Sequence, residues 1–178
     1  MDIPTHEKMI ALCCDILGVS PEKTEQLMSY VGEPDRQDML LERLKRHYYF
    51  PTHFWGDAPS IINRCEQEGT IPAIGYGAHL WEDLCVPFHT TLQGQQYHLD
   101  FEQRIADIFN DSIPSKIIPK NMPFTKYKAQ ICAFESSSQL PFLMEAYRKK
   151  DDHVINQYAI TDRNRAFGYT LGWLKKFM

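Results

Sequence analysis

Five side chains that can bind a metal ion fall within one short stretch, residues 79–102, which reads HLWEDLCVPFHTTLQGQQYHLDFE. They form two His-x3-acid pairs with a histidine between them, namely His79, Asp83, His89, His98 and Glu102. Residues four apart project from the same face of a helix, so each pair predicts two ligands on one helix. Nitrogen and carboxylate ligands without cysteine suit zinc or another divalent ion, and such sets are typical of catalytic sites. The stretch therefore predicts two helices packed side by side around metal.

Apolar residues recur at helical spacing along most of the chain, and capping residues bracket several of these runs. Residues 6–17 predict a helix that ends at Gly18, and Ser20-Pro21 predicts the start of a second helix. The apolar residues 71–88 include small residues that predict a central, buried helix. Further helices are predicted over residues 36–46, 60–68, 96–109, 139–149 and 154–176, and residues 111–138 are the least regular part.

No run of residues alternates with the period of a β-strand, and no stretch reads as a linker between domains. The fold class predicted for residues 1–178 is therefore all-α, a single domain built as a compact multi-helix bundle with a metal cluster between its helices. The five cysteines are odd in number and lie mostly in apolar runs, which predicts buried free thiols rather than a disulfide framework.

The metal-ligand pattern resembles the signature of the zinc-dependent phospholipase C and S1/P1 nuclease superfamily. The likeness lies in spacing and residue type: His79-x3-Asp83-x5-His89 with Pro87 before its last histidine, followed by His98-x3-Glu102. The resemblance implies an enzyme that hydrolyses phosphodiester bonds with two or three zinc ions. Lipases and nucleases share the pattern, so the spacing alone leaves the substrate open.

For a first zinc ion, the resemblance implies ligands from two parts of the chain. Asp35 and His47 match the upstream pair of the family, and they would join the helical ligands His79 and Asp83. His53 and Asp57 are a competing upstream pair, and the order and spacing favour Asp35 and His47.

For the other zinc ions, the resemblance implies separate ligand sets. The second ion would take His89, His98 and Glu102, of which the glutamate matches the phospholipase branch better than the nuclease branch. A third ion would share Asp83 and add His6 together with the main-chain amine and carbonyl of residue one. The family carries a tryptophan at that first position, exposed by processing, whereas this chain has Met1.

Charge and hydropathy narrow the classes of partner. A net charge of −4 provides no broad basic field, so tight binding to the backbone of a long nucleic acid is not expected. No apolar run reaches the roughly 18 residues of a membrane span. The first residues also lack the pattern of a signal peptide, so a cytoplasmic protein is expected, whereas members of the resembled family are often secreted.

These observations together predict a zinc-dependent, phospholipase C-like hydrolase that acts on a phosphodiester or phospholipid and makes a transient contact with a membrane surface. Asp35 is the candidate general base, and Asp83 would bridge two ions. Aromatic residues that follow His47 are candidates for one wall of the substrate site: Tyr48, Tyr49, Phe50, Phe54 and Trp55. The alternatives are an S1/P1-type single-strand nuclease and a non-catalytic, metal-binding helical protein.

Overall fold

The chain is mainly α-helical in the part that the computed structural model describes, residues 2–36, 46–51, 55–111 and 117–178. In chain order the helices are α1 (Ile3–Leu17), α2 (Pro21–Val31), α3 (Ala58–Glu68), α4 (Ile71–Leu84), α5 (His98–Asp111), α6 (Thr125–Ser137), α7 (Leu140–Lys149) and α8 (Asp152–Lys175). Short 3-10 turns cover Pro34–Arg36, Pro87–His89 and Gln95–Tyr97. Within these ranges the one β-type pairing is an isolated antiparallel bridge between Phe50 and Trp55. The predicted all-α bundle is confirmed.

Capping residues set the ends of the first two helices, as the sequence predicted. The Ser20 side chain accepts a hydrogen bond from the N–H of Lys23, and α2 begins at the following proline. Gly18 ends α1 in the left-handed conformation, at φ 66°, where a side chain would be strained. Helix α1 starts earlier than predicted, at Ile3, because the Asp2 carboxylate caps the N–H of Thr5.

Helix α4 lies at the centre of the bundle and carries the first two metal-ligand candidates. All of its residues from 77 to 84 are buried. Its glycines allow two neighbouring helices to approach closely: a Cβ added at Gly77 would lie 2.6 Å from the Trp173 ring of α8, and one at Gly75 would lie 2.9 Å from the Leu27 carbonyl oxygen of α2. The predicted central, buried helix is therefore confirmed, with a physical role for its small residues.

The region predicted to be least regular contains a well-formed helix, α6. Its buried face is narrow and consists of small side chains, among them Ala129, Cys132 and Ala133. Large apolar side chains, Tyr127 and Phe134, point to solvent instead, so the usual amphipathic pattern is absent from the sequence. Most of the helix predicted over residues 36–46 lies outside the described residues.

Two further predictions can be compared with the described chain. All five cysteines are buried free thiols, as predicted. None of the helices in the described ranges combines the length and the apolar character that crossing a membrane requires.

Candidate metal centre

Six separate parts of the chain contribute side chains to one cluster beside α4. Helix α1 contributes His6, the 3-10 turn after α2 contributes Asp35, and His47 comes from residues 46–51. Helix α4 supplies two ligand candidates one turn apart, the next 3-10 turn supplies a third, and α5 supplies two more one turn apart: His79, Asp83, His89, His98 and Glu102. All eight of these predicted ligands meet in space, whereas Met1 and His53 lie outside the described residues.

The carboxylate of Asp83 is the centre of this cluster. Its Oδ2 atom lies 2.8 Å from His47 Nδ1, 3.1 Å from His79 Nε2 and 3.6 Å from His89 Nδ1. Its Oδ1 atom lies 3.6 Å from His6 Nε2. One buried carboxylate thus faces four histidines from four elements, which is the arrangement expected of a residue that bridges ions.

One group of ligand atoms opens toward solvent through Asp35. Its Oδ1 atom lies 3.8 Å from His79 Nε2 and 3.9 Å from His47 Nδ1, and those two nitrogens are 3.4 Å apart. The side chain of Asp35 is 29% exposed, whereas those of His47 and His79 are buried. This carboxylate is therefore the part of the group that a solvent molecule or a substrate can reach.

A second group lies between the 3-10 turn and α5. Glu102 Oε1 is 3.0 Å from His89 Nε2 and 2.8 Å from His98 Nε2, and the two nitrogens are 3.0 Å apart. His98 is the first residue of α5 and Glu102 lies one turn later, so the imidazole of His98 and the carboxylate of Glu102 project from the same side of the helix.

The spacing of these atoms fits a shared cation. Ligands about 2.1 Å from a tetrahedral zinc ion lie about 3.4 Å from one another. Four sets of three residues could each hold an ion, because within each set the ligand atoms lie within 4.8 Å of one another: His6, His79 and Asp83; Asp35, His47 and His79; His47, Asp83 and His89; His89, His98 and Glu102. The buried Nδ1 of His89 makes no hydrogen bond in the described chain and faces Asp83, so an ion between them would satisfy it.

The electrostatics of the cluster also favour metal binding. Burial alone would raise the pKa of Asp83. The neighbouring His89 and His79 and the hydrogen bond with His47 have a larger, opposite effect, so the pKa of Asp83 lies well below its usual value. Burial lowers the pKa of His6 and of His89. Burial also lowers the pKa of His47, but the hydrogen bond and the charge of Asp83 outweigh burial and raise it. A metal ion requires an ionised carboxylate and neutral imidazoles, so the pKa directions of Asp83, His6 and His89 suit it, whereas His47 must lose a proton to serve as a ligand.

The structure adds one residue that sequence reasoning missed, Glu82. It is fully buried, its Oε2 atom lies 2.5 Å from His6 Nδ1, and the Thr170 hydroxyl donates a hydrogen bond of 2.9 Å to its Oε1 atom. A carboxylate on the outer nitrogen of a metal-binding histidine fixes the tautomer and orientation of the ring. The sequence does contain a signal for Glu82, since it is a second acid next to Asp83 within an apolar helix. An acid buried in such a helix requires a polar partner.

Of the aromatic residues predicted to wall a substrate site, Tyr48 packs directly beside the cluster. The Tyr48 ring lies 5.0 Å from the His89 ring, and the Phe50 ring stacks on that of Trp55 at 4.8 Å. Tyr49 turns away, since its hydroxyl accepts a hydrogen bond from Gln130 of α6. Only Trp55 of these four is exposed, and Phe54 lies outside the described residues.

His53 and Asp57 are the competing upstream pair, and Asp57 is the member that the structure describes. Asp57 lies just before α3, where its backbone carbonyl accepts the N–H groups of Ser60 and Ile61. It belongs to none of the ligand sets formed by described residues.

No protein-family model and no curated protein matches this chain. The function is therefore inferred from the geometry of the cluster.

Proposed function

We propose that this protein is a zinc-dependent hydrolase of phosphodiester bonds that acts in the manner of a phospholipase C. The observation that carries the proposal is the carboxylate of Asp83, which faces four histidines from four elements at 2.8–3.6 Å. A structural zinc site needs only four ligands, and a cluster with eight ligand candidates exceeds that need. Multi-ion sites with nitrogen and carboxylate ligands are typical of enzymes that cleave phosphate esters.

The proposed role of each residue in the cluster follows from how far its side chain is exposed to solvent. Zinc ions, when bound, supply positive charge that stabilises a phosphate ester and eases the removal of a proton from water. Asp35 faces solvent, so its carboxylate accepts the proton of the attacking water. Asp83 is shielded and holds the surrounding imidazoles in place through Oδ1 and Oδ2. Tyr48, packed on His89, excludes water from one side of the cluster.

The charge of the chain and an aromatic ring beside the cluster favour a small phosphodiester or a phospholipid head group over single-stranded nucleic acid. The net charge is −4, and the Tyr48 ring lies 5.0 Å from the His89 ring. Nucleic-acid capture recruits clustered lysine and arginine, whereas a small diester needs the ions and one aromatic wall.

The proposal is tested by hydrolysis assays on zinc-loaded protein with a phosphocholine diester, a bis-aryl phosphate and single-stranded DNA. We expect cleavage of the first two, and we expect Asp35→Asn to lower kcat at least about 100-fold. Asp107→Asn, an exposed aspartate of α5, is the matched control and should keep full activity. Trp55→Ala should weaken hydrolysis while zinc content stays unchanged.

Other results would select the alternatives. Cleavage of single-stranded DNA without action on the phosphocholine diester would make the protein a nuclease. Full zinc loading without any hydrolysis would make it a metal-binding helical protein.

A further inference from the structure

Helix α6 presents a stripe of large apolar side chains on the side opposite its buried face. Tyr127 and Phe134 are 62% and 63% exposed, and Ile131 between them is half-buried. The exposed Ser138, which keeps helical backbone angles, continues the stripe just past the helix end. We refer to these four residues as the α6 stripe. The buried residues of α6 lie on the other side of the helix: Thr125, Ala129, Cys132, Ala133 and Ser136.

The spacing of the α6 stripe is that of a seam between two paired helices. Its members follow one another at steps of four, three and four residues, so they lie along one line on the helix surface. In the heptad notation of coiled coils they occupy the a and d positions, through which one helix packs against another. Because α6 contacts the core through small side chains on its other side, this seam faces away from the core.

Two residues of opposite charge border the α6 stripe on the same side. Lys128 and Glu135 are seven residues apart, so they lie on one flank, with the lysine toward the start of α6 and the glutamate toward its end. The positions that adjoin the stripe on its other flank, Gln130 and Ser137, are neutral. The charged flank is therefore complementary to its own copy when that copy runs in the opposite direction.

One antiparallel register matches the apolar and the charged positions together. It places Ile131 against Phe134 of a second copy, and Tyr127 against the small Ser138, so that a positions of one helix meet d positions of the other. In this register Lys128 lies beside Glu135 of the second copy, and two-fold symmetry produces the pair twice. A parallel arrangement would place each ring against its own equivalent and would separate the lysine from the glutamate.

We propose that this protein forms a symmetric homodimer in which the α6 stripes of two copies pack antiparallel. The proposal goes beyond the proposed function and does not depend on it. The match of charge and apolar positions identifies a second copy as the occupant, since complementary charge selects partner and register.

The size of α6 limits the strength of this dimer. A helix of 13 residues is about 20 Å long, so the contact is smaller than the roughly 800 Å² per partner of a stable interface. Interfaces of that standard size already extend to micromolar affinity. We therefore expect a reversible dimer with a dissociation constant in the micromolar range or above.

The experiment is sedimentation equilibrium of the full chain, from micromolar to sub-millimolar concentration. We expect the mean mass to rise from that of the monomer toward that of the dimer. Phe134→Ser removes one packed ring from each copy and should raise the dissociation constant at least about tenfold. The matched control is Ile16→Ser, which replaces an exposed apolar residue of α1 and should leave the dissociation constant unchanged.

Charge reversal tests the antiparallel register. Lys128→Glu and Glu135→Lys each bring like charges together, and each should weaken self-association about fivefold. An equimolar mixture of the two variants should form heterodimers, because every charge then faces its opposite. The double variant should regain the wild-type affinity. Lys126→Glu changes the net charge as much as Lys128→Glu but lies off this flank, so it should have little effect.

The outcomes are read on variants whose melting temperatures match that of the wild type, and Tyr127→Ser replaces Phe134→Ser if the latter does not fold. A monomer at every concentration would overturn the proposal, even if that monomer binds phosphatidylcholine vesicles through Phe134. A dimer that the change at Phe134 or Tyr127 leaves intact would overturn it as well. Charge reversals that fail to rescue each other would reject the antiparallel pairing. Loss of hydrolysis with the dimer retained would instead reject the proposed function alone.

Discussion

Replacement of Glu82 by glutamine tests the least expected residue of the metal centre. The carboxylate contacts His6 Nδ1 through Oε2 and the Thr170 hydroxyl through Oε1. Glutamine has nearly the same shape and keeps both contacts, with its carbonyl toward His6 and its amide toward Thr170. Burial raises the pKa of the Glu82 carboxyl well above its usual value. A zinc ion on His6 Nε2 would favour the ionised carboxylate, with the proton on Nδ1. Glutamine cannot ionise, and it can also turn its amide toward the imidazole and select the tautomer that protonates Nε2.

The size of the effect follows from these contacts. A hydrogen bond to a charged group contributes about 1.5–3 kcal/mol, and a neutral one about 0.5–1.5 kcal/mol. The difference of about 1.4 kcal/mol corresponds to a tenfold change in affinity, at the low end of the 10–100-fold cost seen when a carboxylate behind a metal-binding histidine is removed. We therefore expect one zinc ion of Glu82→Gln to bind about tenfold more weakly, with the others unchanged.

The assay is a zinc titration in competition with a chromophoric chelator at pH 7. Thr170→Val removes one of the two contacts of Glu82 and should produce a smaller loss. Asp162→Asn removes a buried carboxylate from α8, outside the metal-ligand sets, and should leave every zinc affinity unchanged. Zinc affinities of Glu82→Gln equal to those of the wild type would refute the role assigned to this residue.

Three further predictions concern metal content and stability. His79→Ala removes a ligand candidate and should lower bound zinc by about one ion per chain, measured by elemental analysis; unchanged content would contradict its role. A chelator should lower the melting temperature and added zinc should restore it, because ligands from six parts of the chain couple metal binding to folding; identical melting curves would argue against a bound metal. Burial raises the pKa of Asp162 to about 7, against the opposing effects of Arg165 and Gln139, so the folded state holds a proton that the unfolded state releases near pH 4. Stability in urea should therefore fall by up to roughly 4 kcal/mol as the pH rises from about 4 to above 7, and Asp162→Asn should flatten this dependence; a mutant curve parallel to the wild-type curve would contradict it.

Local signals in the sequence predicted the helices and much of the cluster. Ser20 and Gly18 act within a few residues of themselves, so their positions mark helix ends without knowledge of the fold. His79 and Asp83 share one face by helical geometry alone. The convergence of Asp35 and His47 with them came from the family resemblance, since spacing along the chain cannot place residues that are distant in sequence.

Features that depend on tertiary packing were not predictable. Glu82 contacts His6 and Thr170, residues far from it in sequence, and no local pattern pairs them. Helix α6 escaped detection because its core face uses alanine and cysteine while its exposed face holds Tyr127 and Phe134.

The most direct test of the metal centre is elemental analysis of the untagged protein after mild purification, followed by zinc titration. The facing side chains predict two or three zinc ions per chain, with at least two retained through dialysis. A protein that is free of metal and takes up no added zinc would contradict the central claim.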